Sequence, residues 1–149
     1  MDSWRRFWRL SRQEKSWFLQ AAVWLPLTVL GIRWMSLRRW MDFLERVPAS
    51  ASSSRTAQSP EATARMVAAA ARRSLLPANC LSRSVVLWWL FRRRGLGAEL
   101  RFGGRKEGEL LEAHAWVDLD GKAFDVSETH PAGFAPFDRP VVPGEGKSQ

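Results

Sequence analysis

Seven consecutive apolar residues, Val85-Val86-Leu87-Trp88-Trp89-Leu90-Phe91, constrain this chain more than any other stretch. They sit in a segment that starts after Asn79, a good N-cap, ends in a cationic turn, Arg92-Arg93-Arg94, and meets Gly95 just beyond. Those signals predict a helix over residues 80–94. A helix that is apolar all round cannot lie on a surface, so the remaining elements must wrap around it. Its first turn holds Cys80, the only cysteine in the chain. The N–H groups and positive dipole end of a first turn favour an anion, the form in which a thiol is a nucleophile. A lone cysteine on a core helix is otherwise an inert small hydrophobe, so its partners decide what it does.

Those partners are sought on strands. Ala113-His114-Ala115-Trp116-Val117-Asp118-Leu119 alternates, and Asp120-Gly121 before Lys122-Ala123-Phe124-Asp125-Val126 signals a two-residue hairpin. Such a turn pairs 119 with 122 and 116 with 125, which sets Asp125 diagonal to His114 on the same face. Diagonal neighbours lie roughly 7 Å apart, within reach of a carboxylate–imidazole hydrogen bond. Asp118 shares that face but lies roughly 13 Å along the strand, and Asp120 occupies the turn. Geometry therefore selects Asp125 among the three acids, and Cys80, His114 and Asp125 make the minimal set for thiol-based nucleophilic catalysis. A hairpin with ordinary polar residues remains the plainer alternative.

Asn79-Cys80-Leu81-Ser82-Arg83-Ser84, the run 92–100, Phe102-Gly103-Gly104-Arg105 and His114-Ala115-Trp116-Val117-Asp118-Leu119-Asp120-Gly121 resemble the leader peptidase of lasso-peptide biosynthesis, the transglutaminase-like B protein of ribosomal peptide clusters. The resemblance is close over residues 60–127 and loose before them. It implies an α+β, transglutaminase-like (papain-like) cysteine peptidase core with an N-terminal helical pair. It also implies Cys80 as nucleophile, His114 as general base and acid, and Asp125 as the residue that orients the imidazole, with Trp116, Gly103 and Gly104 at the substrate groove. The chain departs from the family pattern at Asn79, often Thr or Ser there, and at Gly103-Gly104, usually Gly-Val. Implied partners are the precursor peptide, a separate leader-recognition protein and the lasso cyclase. A separate recognition protein is expected because residues 1–47 read as helices rather than a winged strand and helix unit.

Four segments divide the 149 residues: a helical segment at 1–47, a Ser/Ala-rich linker at 48–59, the peptidase core at 60–128 and an irregular tail at 129–149. Ser11-Arg12-Gln13-Glu14 forms a capping box, and Pro26 is expected to end or kink the helix that follows. A second helix is then expected to bury Leu27, Leu30, Trp34, Leu37, Met41 and Leu44. Ser59-Pro60-Glu61 starts another helix, running to Arg73. Residues 99–102 read as a strand and 103–112 as a polar connection. His130 precedes Pro131 in the tail and is expected on the surface.

Residues 16–32 carry no charge, yet the stretch is shorter than the ~20 residues a bilayer needs and contains Pro26. A buried helical pair is the favoured reading, with peripheral membrane contact as the alternative. Residues 1–94 carry a net charge of +12 and residues 95–149 one of −4. Arginine interleaved with tryptophan can bind single-stranded nucleic acid, but six of the nine tryptophans lie in the apolar N-terminal helices, so no nucleic-acid partner is expected. No phosphate loop, metal cluster or dinucleotide fingerprint occurs, so no cofactor is expected. A single cysteine excludes an internal disulfide and suits a reducing cytoplasm. The alternatives to a peptidase are a transglutaminase-like acyltransferase and a non-enzymatic basic protein that binds membrane or nucleic acid.

Overall fold

The computed structural model describes residues 8–48, 59–124 and 135–136. Most of the expected linker, Asp125 and His130 lie outside them. Helix α1 spans Arg12–Trp34 and opens on the expected capping box. Ser11 Oγ accepts from the Glu14 N–H at 3.1 Å, and the Glu14 carboxylate accepts from the Ser11 N–H at 2.9 Å. Pro26 does not end it; the helix runs on for eight more residues. A proline inside a helix costs about 3 kcal/mol. Burial of Ala21, Leu25, Thr28 and Gly31 on both sides of Pro26 offsets that loss.

The break comes instead at Met35-Ser36, where Ser36 caps α2, Leu37–Arg46. This corrects the expected stripe. Because α1 is continuous, its phase is set upstream by Trp17 and Ala21, so Leu27, Leu30 and Trp34 are exposed while Trp40, Met41 and Leu44 of α2 are buried. Gly31 makes the corner possible, since a Cβ there would collide with the Trp40 ring. The same indole donates to Thr28 Oγ1 at 3.2 Å.

Helix α3, Pro60–Ala71, starts at the Ser59 cap and packs Ala62, Met66, Val67 and Ala70 inward. Helix α4, Cys80–Arg93, is the expected central helix. Val85 through Phe91 are each 3% exposed or less. Its end is a Schellman motif: Gly95 has φ +75°, Leu96 N–H reaches the Phe91 carbonyl at 3.1 Å and Gly95 N–H the Arg92 carbonyl at 3.0 Å. Only glycine adopts that φ without strain.

Strands β1 (Glu99–Glu107), β2 (Leu110–Leu119), β3 (Lys122–Phe124) and β4 (Ala135–Pro136) form an antiparallel sheet in the order β3-β2-β1-β4. Leu119 pairs with Lys122 across Asp120 (φ +53°) and Gly121 (φ +80°), the two positive φ values a type I′ turn needs. Residues 103–112 are not a connection. They extend β1 and β2 into a long hairpin closed at Gly108-Glu109, with Glu107 opposite Leu110. Side chains 106–113 are exposed, so no apolar alternation marks the strands; main-chain pairing and the Arg105–Glu112 cross-strand ion pair at 2.7 Å hold them. Within the tail, Ala135–Pro136 is regular, pairing with Gly104 and Gly103 at the edge.

One core joins these parts. Ala21 and Leu25 of α1, Met41 and Leu44 of α2 and Val67 of α3 pack with α4, and so do Leu100, Val117, Leu119 and Phe124 on one face of the sheet. Phe91 meets Phe124 edge-on at 5.5 Å, and the Trp89 indole donates to the Leu44 carbonyl at 3.0 Å. Among the described residues the fold is α+β, with α4 enclosed between helices and sheet.

Candidate active site

Cys80 is the first residue of α4, and its thiol is free and half-buried. The turn it opens is well fixed: Asn79 Oδ1 accepts from the Ser82 N–H at 2.9 Å, and the Ser82 hydroxyl donates back to the Asn79 carbonyl at 3.1 Å. The cap therefore holds the helix start in place at the residue before the thiol.

Ser84 lies one turn further along the same helix face. Its hydroxyl, 1% exposed as a residue, donates to the Ala115 carbonyl at 3.0 Å. Ala115 directly follows His114 in β2, so this bond brings the opening turns of α4 to the level of the histidine. Ser84 meets the strand at its backbone, just beyond Val117–Phe124, the last β2–β3 pair among the described residues. Sequence reasoning missed Ser84. The available signal was a hydroxyl four residues after the cysteine, immediately before an unbroken apolar run.

His114 is 7% exposed and shares its strand face with Trp116 and Asp118, opposite to Val117 and Leu119. Its ring lies 6.3 Å from that of Trp116, at 24° between planes. Gly103 stands directly across from His114. A Cβ on Gly103 would lie 2.6 Å from both Trp116 Cη2 and the Ala135 carbonyl oxygen, closer than such contacts occur. Gly103, His114 and Trp116 are thus one packed unit, and Gly104 sits beside it between Ala113 and Ala135.

The acids separate by role. Asp118 Oδ1 accepts from the Gly121 N–H at 3.0 Å and so serves the hairpin turn, while Asp120 is in the turn itself. Asp125 is beyond the described end of β3. The Ser84–Ala115 hydrogen bond ties the helix that begins at Cys80 to the main chain of the strand that carries His114. A cleft of about 360 Å³ lined by Leu44, Glu45, Val47, Trp89, Arg92 and Arg93 lies at the other end of α4. It is roughly 20 Å from Cys80 at helical rise and takes no part in this site.

The family model described as Transglutaminase-like superfamily matches residues 23–138, which include α4, the sheet and the second half of α1. No curated protein and no solved structure matches the chain.

Proposed function

Because the chain belongs to the transglutaminase-like superfamily, whose members are generally catalytic as cysteine peptidases or acyltransferases, we propose that it is a cysteine peptidase that removes the leader from a ribosomally made lasso-peptide precursor. The observation that supports this reading most is the Ser84–Ala115 hydrogen bond, which joins the helix that begins at Cys80 to the main chain of the strand that contains His114.

In this reading Cys80 gives its thiol proton to His114, and the thiolate attacks the carbonyl of the last leader residue and forms a C–S bond. The Cys80 N–H, at the helix start, donates to the resulting oxyanion. Collapse breaks the C–N bond, and His114 protonates the departing core amine. His114 then takes a proton from water, whose oxygen attacks the thioester; the C–S bond breaks, the leader leaves as a carboxylic acid, and the proton on His114 returns to the Cys80 sulfur. Asp125 is the orienter in this reading; the Leu119–Lys122 and Val117–Phe124 pairs agree with the hairpin register from which it is expected diagonal to His114, and that agreement supports the choice. A separate leader-recognition protein delivers the precursor, and a cyclase consumes the freed core; both act with this enzyme in the cytoplasm.

Mass spectrometry of purified protein with the precursor and recognition protein tests the reading. Hydrolysis gives two fragments whose masses sum to the precursor plus one water. Cys80→Ala abolishes cleavage with the fold intact, and Asp125→Asn lowers turnover by about four orders of magnitude, while Asp118→Asn acts mildly. Cleavage by Cys80→Ala sinks the assignment. Leader captured on an added amine, rather than as free acid, identifies the acyltransferase instead, because both reactions share the thioester.

A further inference from the structure

Helix α1 has two faces of opposite allegiance. Trp17, Ala21, Leu25, Thr28 and Gly31 are buried against the domain. On the opposite side of the wheel, Leu19, Val23, Leu27, Leu30 and Trp34 are all exposed, Val23 at 57% and Trp34 at 81%. This outer stripe is about 22 Å long at helical rise. Exposed Arg12 and Arg33 bracket it on the same side, Arg38 and Arg39 follow on α2, and the only acid of α1, Glu14, is held by the cap.

We propose that this outer face lies in the plane of an anionic lipid bilayer, its apolar stripe among the acyl chains and its terminal arginines and Trp34 at the headgroups. Charge complementarity selects this occupant. The chain carries +8 and residues 1–94 carry +12, a match for a negatively charged surface, and arginine with tryptophan at the ends of an apolar stripe is the pattern of interfacial helices. A second copy of the chain fits worse. Two such stripes packed together in either direction bring Arg12 or Arg33 of one against an arginine of the other. A transmembrane course is also disfavoured, although α1 is long and apolar enough for one, because the inner face is committed to the domain core.

The binding does not depend on the reaction assigned above. The test is flotation of the full-length protein with vesicles of phosphatidylcholine and phosphatidylglycerol, 3:1 by way of about a quarter anionic lipid, against phosphatidylcholine alone. Partitioning to the anionic vesicles is expected to be at least about tenfold stronger, and Leu19→Gln/Val23→Gln/Leu27→Gln is expected to lower it by roughly a hundredfold with its melting temperature little changed. Should that variant not fold, brominated lipid gives the same reading on the native chain: it quenches tryptophan fluorescence, and less so in Trp34→Phe. Absence of binding to anionic vesicles, binding retained by the folded triple variant, quenching unaltered by Trp34→Phe, or a concentration-dependent dimer that the triple variant dissolves would each overturn the proposal.

Discussion

Helices α4 and α1 each carry a long uncharged apolar run, and the two runs have different fates. In α4, residues 85–91 are enclosed on every side, by helices on one flank and by Leu100, Val117, Leu119 and Phe124 on the other. In α1, residues 16–32 are enclosed on one side only, and four of the large aliphatic side chains face outward. Apolar composition alone therefore does not place a helix in the core; what decides is how many neighbours the topology gives it. The helix with a sheet against it is surrounded, and the one at the rim keeps its outer apolar stripe uncovered.

Substitutions at matched positions can break or sharpen this contrast. The largest effect is expected for Phe91→Ala in α4, about 3–5 kcal/mol by denaturant unfolding, since the side chain is fully buried against Phe124 and leaves a cavity. In α1 the sign reverses for Pro26→Ala, expected to stabilise by about 2 kcal/mol: it removes the roughly 3 kcal/mol penalty of an interior proline, less the up to about 1 kcal/mol by which proline stiffens the unfolded chain. Ser84→Ala comes next: it leaves the buried Ala115 carbonyl without its hydroxyl donor, so about 1–2 kcal/mol is lost, and turnover falls because the helix start is no longer held at the His114 strand. Retention of full activity by Ser84→Ala would separate the site from that bond. Smallest is Leu27→Ala, within about 0.5 kcal/mol, because its side chain is on the outer face. A loss at Leu27 comparable to that at Phe91 would mean that α1 is covered in solution.

What could be read in advance follows the same line. The caps at Ser11, Ser59 and Asn79, the all-round apolar run of α4 and the Asp120-Gly121 turn are local chemistry, and each produced the element it signals. Pro26 misled because tertiary burial around Leu25 and Thr28 outweighed a local penalty, and that error shifted the phase of the whole stripe. The outer part of the β1–β2 hairpin was illegible for another reason: both its faces meet solvent, so nothing forces the side chains to alternate. At the site, the positions of Cys80 and His114 follow from local signals, whereas Ser84 acts across 31 residues of sequence, through a backbone carbonyl that no side-chain pattern reveals.

Gly103 has a consequence for how change at this sheet can travel. Its missing side chain is the space in which the Trp116 ring and the β4 backbone both rest, opposite His114. Any residue with a Cβ must displace one of them: the indole, whose ring neighbours the imidazole, or the edge strand β4. Position 103 is therefore a junction at which a shift of β4 and a change in the histidine's surroundings become the same mechanical event, transmitted by sterics over a single strand spacing.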